Sequence, residues 1–259
     1  MLSASDPTRR FSNRVEYYIL YRPKYPAAVL QLFQAELGLL PTHTIADIGS
    51  GTGFSAELFL QNGNTVFGVE PNREMREAAE SLLKDYPNFK SIEGTAEATT
   101  LGAHSIDFII VGQAFHWFNP VQAKVEFKRI LKLGGTVALI WNQRLTDTTP
   151  FARAYEELLL NYGTDYQDVS HKTVTATDVS VLQEFFAPQG FTVKSFANAQ
   201  VFDFLSLKGR LLSSSYAPLQ GHPNFEPTLA ELQRIFDEFQ ADGHVQFDYQ
   251  TMVYYGQLV

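Results

Sequence analysis

From residue 44 onward, short apolar runs alternate with stretches whose apolar residues recur every three or four positions. Short apolar runs bounded by turn residues predict buried strands, and the periodic stretches predict amphipathic helices. Strands are expected at 45–48, 65–69, 89–92, 106–111 and 136–141, with helices at 54–61, 72–84 and 120–131. Strand and helix thus alternate five times with short connections, the pattern of a doubly wound parallel α/β sheet. In such a sheet right-handed crossovers bring the strand C-termini, and any ligand, to one edge.

The flanking regions are less regular. Phe11, Val15, Tyr18 and Ile19 have helical spacing ahead of Tyr21-Arg22-Pro23. A second helix is expected from Pro26, with Val29, Leu30, Phe33 and Leu37 on one face and Gly38 and Pro41 ending it. After Trp141 the pattern predicts helices at 151–161, 178–186, 205–214 and 226–240, an extended stretch at 191–204 and a long alternating strand at 245–255. No linker divides the chain. One domain over 1–259 is expected, with helical cap segments from about 1–40 and 145–240.

With 259 residues and 45% hydrophobic content, the chain can bury a full core. A net charge of −8 argues against nucleic acid or an anionic membrane as the main partner, because phosphate binding needs a basic face. The chain has no cysteine, which excludes thiolate chemistry and disulfides. His43, His104, His116, His171, His222 and His244 show no metal-type spacing, so no metal is expected. No apolar run approaches the ~18 residues of a membrane span, and charges in the first twenty residues rule out a secretory segment there. A cytoplasmic protein is the expectation.

The chemistry gathers around Asp47-x-Gly49-Ser50-Gly51-x-Gly53. A strand ends in an acid, passes through three alternate glycines and enters a helix. Glycine lets the backbone approach a ligand, and the helix start adds unpaired N–H groups. The same spacing serves two ligand classes. Gly51-x-Gly53-x-x-Ala56 fits a dinucleotide fingerprint, whereas the leading Asp47 fits S-adenosyl-L-methionine (SAM). A carboxylate there repels a pyrophosphate but suits a sulfonium and an ammonium group. A turn carboxylate bonded to its own backbone is the plain structural alternative.

Glu70 ends the second predicted strand, where a carboxylate can accept from both ribose hydroxyls. Met75 can lie on an adenine ring or simply pack. After the third strand, Thr95 or Glu97 can receive the adenine amine, and the Ala96 N–H can meet a ring nitrogen. The fourth strand runs into Gln113-Ala114-Phe115-His116-Trp117-Phe118. Gln113 is the candidate for the amino-acid end of the cofactor, His116 for acid–base work, and Trp117 for acceptor contact. Arg144, Arg153, Lys208 and Arg210 can pair with an acidic acceptor, but solvated surface is the expected role of each.

Together with Tyr21-Arg22-Pro23-Lys24-Tyr25-Pro26 and Arg129-Ile130-Leu131-Lys132-Leu133-Gly134-Gly135, these pieces resemble the class I SAM-dependent methyltransferases. That group includes small-molecule enzymes such as trans-aconitate methyltransferase and the methyltransferase type 11 proteins. The resemblance covers about residues 11–142. It implies a Rossmann-like, mostly parallel seven-stranded sheet with an antiparallel last strand. It further implies SAM contacts from Gly49, Gly51 and Glu70, Ala96 at the adenine, Gln113 near the methionine part, and Tyr21 or Arg22 at the cofactor carboxylate. Leu133 and Thr95 depart from the proline and the aspartate common in the group. The implied reaction is in-line methyl transfer to a small-molecule acceptor. An NAD(P)-dependent oxidoreductase and a non-catalytic SAM-binding protein are the rivals. The acceptor and the oligomeric state are open.

Overall fold

The computed structural model describes residues 19–166 and 179–258. Its strands are β1 (Thr44–Ile48), β2 (Thr65–Val69), β3 (Phe89–Ile92), β4 (Ile106–Gly112), β5 (Leu131–Arg144), β6 (Thr192–Phe202) and β7 (Val245–Gln257). Its helices are α1 (Ala27–Glu36), α2 (Phe54–Leu60), α3 (Arg73–Leu82), α4 (Pro120–Ile130), α5 (Pro150–Tyr162), α6 (Val179–Phe186), α7 (Phe204–Leu212) and α8 (Phe225–Phe239). Phe11, Val15 and Tyr18 lie outside the described residues, as do His171 and the segment 167–178.

The strands form one seven-stranded sheet in the order β3-β2-β1-β4-β5-β7-β6. The first five are parallel, and β7 runs antiparallel between β5 and β6. Alternate side chains serve opposite faces, so a strand covered on both sides reads as continuously apolar. β4 shows this. Ile109 and Val111 join one buried layer with Phe127 of α4 and Phe186 of α6, while Phe108 and Ile110 join another with Phe33 of α1 and Phe59 of α2. Burying each such side chain is worth roughly 1.5–3 kcal/mol.

One expectation, the apolar face of α1, needs correction, and one connection is unlike its neighbours. The β3–β4 crossover, residues 93–105, contains no helix; it is extended chain with one small bridge, Thr95 to Ala98. A clasp from α4 holds it instead. Glu126 accepts from the N–H and hydroxyl of Thr99, and Arg129 pairs with Glu126 and donates to the Leu101 carbonyl. On α1 the buried face is Val29, Leu32 and Phe33, with Leu30 only half-buried.

A third apolar layer forms the cap. Phe151, Tyr155 and Leu158 of α5, Leu207 and Leu211 of α7 and Leu232, Ile235 and Phe236 of α8 close over Val245, Phe247 and Tyr249 of β7. The start of β7 therefore belongs to the cap and its end to the sheet. Asn142 joins the two parts from the C-terminal end of β5. Its amide donates to the carbonyls of Pro23 and Lys24, and its side-chain oxygen accepts from Thr251 at 2.5 Å and Asn198 at 3.2 Å.

Candidate functional site

The strand C-termini bring Asp47, Glu70, Gln113 and Arg144 to one edge of the sheet. The turn after β1 is fixed by backbone bonds, Gly49 N–H to the Val69 carbonyl at 2.8 Å and Gly53 N–H to the Ser50 carbonyl at 2.8 Å. All three glycines have positive φ, at 68°, 54° and 88°, yet they are needed for different reasons. A Cβ at Gly49 would lie 2.6 Å from the Ala114 Cβ, and one at Gly53 would lie 2.5 Å from Leu83. At Gly51 it would meet nothing within 4 Å. Gly49 and Gly53 are packed against the protein; the space in front of Gly51 is open.

Glu70 links the first two strand ends. One carboxylate oxygen accepts from the Gly51 N–H and the other from the Asn72 N–H, both at 2.9 Å. Burial raises its pKa, against those two bonds and the pull of Arg76. Asp47 is wholly enclosed, with one oxygen accepting from the Ser55 hydroxyl at 2.7 Å and the other lacking a geometric partner. Burial raises it to about 7, opposed by the Ser55 hydroxyl and the Ala56 N–H. It acts on its surroundings through its field under the turn, since it presents no atom to solvent. Ser55, which orients it, carries no signal in the sequence.

The remaining predicted positions divide. Ser50, Met75 and Ala96 are buried, and the Met75 N–H donates to the Asn72 side chain at the start of α3. Thr95 is exposed on the crossover. Gln113 has φ 58°, an uncommon conformation for a side-chain-bearing residue, and its amide donates to the Asn142 carbonyl at 3.1 Å. His116 is exposed and lies against Trp117, ring centres 4.5 Å apart. Tyr21 packs on Gly209 of α7, its rings so near that a Cβ at Gly209 would come within 2.1 Å, and Arg22 donates to the Ser213 carbonyl. Tyr21 and Arg22 thus join the cap, beyond Asn142 from the glycine turn.

Arg144 and Arg210 do not lie on solvated surface. Arg210 is 5% exposed and hydrogen-bonds Ser214 at 3.0 Å and Tyr249 at 3.4 Å. Arg144 pairs with Glu156, which also accepts from the Tyr166 hydroxyl, and its guanidinium sits 5.1 Å from the Tyr155 ring centre and 5.6 Å from that of Phe247. Isolated cationic letters in a polar-looking stretch cannot show that aromatic faces will enclose them. Two depressions lie elsewhere, around Thr136, Gly190 and Tyr255 and around Asp107, Lys132 and Gly135. Both are at the opposite end of the strands from the glycine turn, and the buried polar atoms without partners are not among their lining residues.

A seven-stranded sheet of this order, with a glycine turn after β1 and an acid after β2, defines the class I methyltransferase fold. Residues 46–139 match the family model described as a methyltransferase domain. An uncharacterized methyltransferase-like protein of Schizosaccharomyces pombe, C25B8.10, is 31% identical over 61% of this chain and 60% of its own. A second from the same yeast, the uncharacterized methyltransferase C25B8.09, is 26% identical over 97% and 98%. Thus the chain matches about 60% of the first relative's length and almost all of the second's. A solved structure from Anaeromyxobacter dehalogenans, provisionally described as a type II methyltransferase, superposes with a TM-score of 0.67 at 17% identity, over 92% of this chain and 99% of that one. Residues 46–139 thus match a methyltransferase domain, and the fold is the one found in SAM-dependent methyltransferases.

Proposed function

We propose that this protein transfers the methyl group of SAM to a small-molecule acceptor held beneath the cap. The observation that carries the reading is the Glu70 carboxylate, tied to the Gly51 N–H below a glycine turn whose outer side is open. An acidic pair in that position suits a ligand with ribose hydroxyls and cationic groups, and it opposes the pyrophosphate of a dinucleotide. No cationic side chain bonds the carboxylate of Asp47 or Glu70 among the described residues.

When bound, SAM supplies the activated methyl carbon. We assign Glu70 to the ribose hydroxyls, the Gly49 to Gly53 turn to close backbone approach, and Asp47 to the negative field beneath it. Met75, Thr95 and Ala96 are assigned to the adenine side. Gln113 is assigned to the methionine part, with Tyr21 and Arg22 on the cap side of it. His116 takes the acceptor proton where one must leave, and Trp117 bounds the acceptor. The chain's work is to hold the nucleophile within ~3–3.5 Å of the methyl carbon, in line with the sulfur.

Thermal shift with SAM, its demethylated product and NAD tests the reading. SAM and the product are expected to stabilise the protein and NAD to leave it unchanged; stabilisation by NAD alone overturns the proposal. Glu70→Ala is expected to weaken SAM binding about 100-fold by calorimetry, the loss of two charge-assisted hydrogen bonds.

A further inference from the structure

Five buried or half-buried side chains meet at the C-terminal end of β5. Arg144 ends that strand opposite Tyr249 of β7. Arg210 of α7 reaches the Tyr249 hydroxyl, and Tyr155 and Tyr216 feel the fields of both arginines. Burial pushes the Tyr216 phenol up, yet Arg210, Arg22 and Arg144 together outweigh it and leave the phenol below its ordinary value. Glu156 is the carboxylate that pairs with this group, and it pairs with Arg144. Among the described residues Arg210 has none: its bonds go to a serine and a tyrosine hydroxyl.

The polar inventory is incomplete in one direction only. The second terminal nitrogen of Arg144 and the hydroxyl of Tyr155 are buried without hydrogen-bond partners. Both are donors, and the phenol also accepts. A buried guanidinium with no counter-charge is unfavourable, and aromatic faces offset only part of that cost. An oxyanion completes the set: it supplies the absent charge and accepts from the unused donors. A guanidinium fork matches a carboxylate in shape, and hydroxyl donors beside it extend the match. Gln113 bonds the backbone of Asn142, two residues before Arg144, so this cluster continues directly from the assigned cofactor positions.

We infer that the acceptor is a small organic acid whose carboxylate seats between Arg144 and Arg210 with the Tyr155 hydroxyl as a further donor. This rests on the methyltransferase reading above for its link to catalysis, though the binding itself does not depend on it. Because the donors are enclosed, the acid enters when the cap helices carrying Tyr155 and Arg210 part from β7.

The test uses the full chain with and without a saturating amount of the demethylated cofactor. Response to that product alone reports on the cofactor reading. Against both backgrounds, benzoate, phenylacetate, malonate, succinate and citrate are compared with their methyl esters and amides at equal ionic strength, by thermal shift. At least one acid is expected to raise the melting temperature while its ester and amide do not. Tyr155→Phe removes a hydroxyl with no present partner, so it is expected to fold and to bind that acid about tenfold more weakly. Arg210→Met is expected to lose the acid response, keep the cofactor response and melt no lower than the parent. No shift with any acid, a shift with inorganic phosphate but no acid, or an unchanged acid response in both variants overturns the inference. A missing product response alongside an intact acid response overturns the cofactor reading instead.

Discussion

The glycine-turn side and the cap side of the sheet edge both bury charge, and they do so with opposite signs and different partners. Asp47 and Glu70 lie under backbone N–H groups and a serine hydroxyl that the turn supplies locally. Arg144 and Arg210 lie among rings from α5 and β7, with Glu156 pairing with Arg144. Local backbone can neutralise an acid within a few residues, because N–H groups are present in any chain. A buried guanidinium needs acceptors brought from distant elements, since it has donors only. The two sides therefore differ in what assembles them: one is a property of a turn, the other of the closed cap.

The strongest way to break this contrast is Asp47→Asn. Burial holds the Asp47 acid at about 7 in the fold against 3.8 in the unfolded chain. Between those values the folded state binds more protons at this site, so Asp47's contribution to stability is most favourable below about pH 4 and declines as pH rises toward 7. The cofactor-free variant is expected to gain roughly 2–4 kcal/mol over the parent at pH 8 and almost nothing at pH 4. Denaturant melts at both pH values measure it. Equal stabilities at pH 8 would mean that the acid side stores no such strain.

Asn142→Ala cuts the link between the sides. It removes the acceptor of the fully buried Thr251 hydroxyl and one donor to the carbonyls of Pro23 and Lys24, the latter still held by Asn198. A loss of roughly 2–3 kcal/mol is expected. Hydrogen exchange should rise at residues 21–26 before it rises in β1, and simultaneous opening would show that the two sides form one cooperative unit.

Glu126→Gln is the reference for a carboxylate with full partners. Arg129, with the Thr99 hydroxyl and N–H, outweighs burial and holds Glu126 at about 2. That stability is present above about pH 4.5 and is lost as pH falls through 2, the reverse of Asp47. The variant is expected to cost roughly 1–2 kcal/mol at pH 7, with Arg129 partly solvated, and the difference should vanish near pH 2. A pH-independent cost would point to lost packing in the crossover rather than lost charge.

Much of the fold was legible in the sequence because its signals are local. The apolar run of β4 needs two covered faces, and the alternation of β7 needs one strand covered unequally along its length. The glycine spacing and Glu70 located the turn, and the structure joins them through one hydrogen bond. No element was expected in the β3–β4 crossover. Its conformation is set by Glu126, 27 residues from Thr99, and no window of sequence contains that clasp.

The sequence by itself determined the strand order's ingredients, the turn and the acid that follows it, because hydrophobic period and backbone permissiveness act over a few residues. Only the tertiary structure decided that Gly51 faces open space while Gly49 and Gly53 are packed, and that Arg144 and Arg210 are buried together. Burial depends on which distant surfaces meet. A charged residue carries no local mark of the rings that will enclose it.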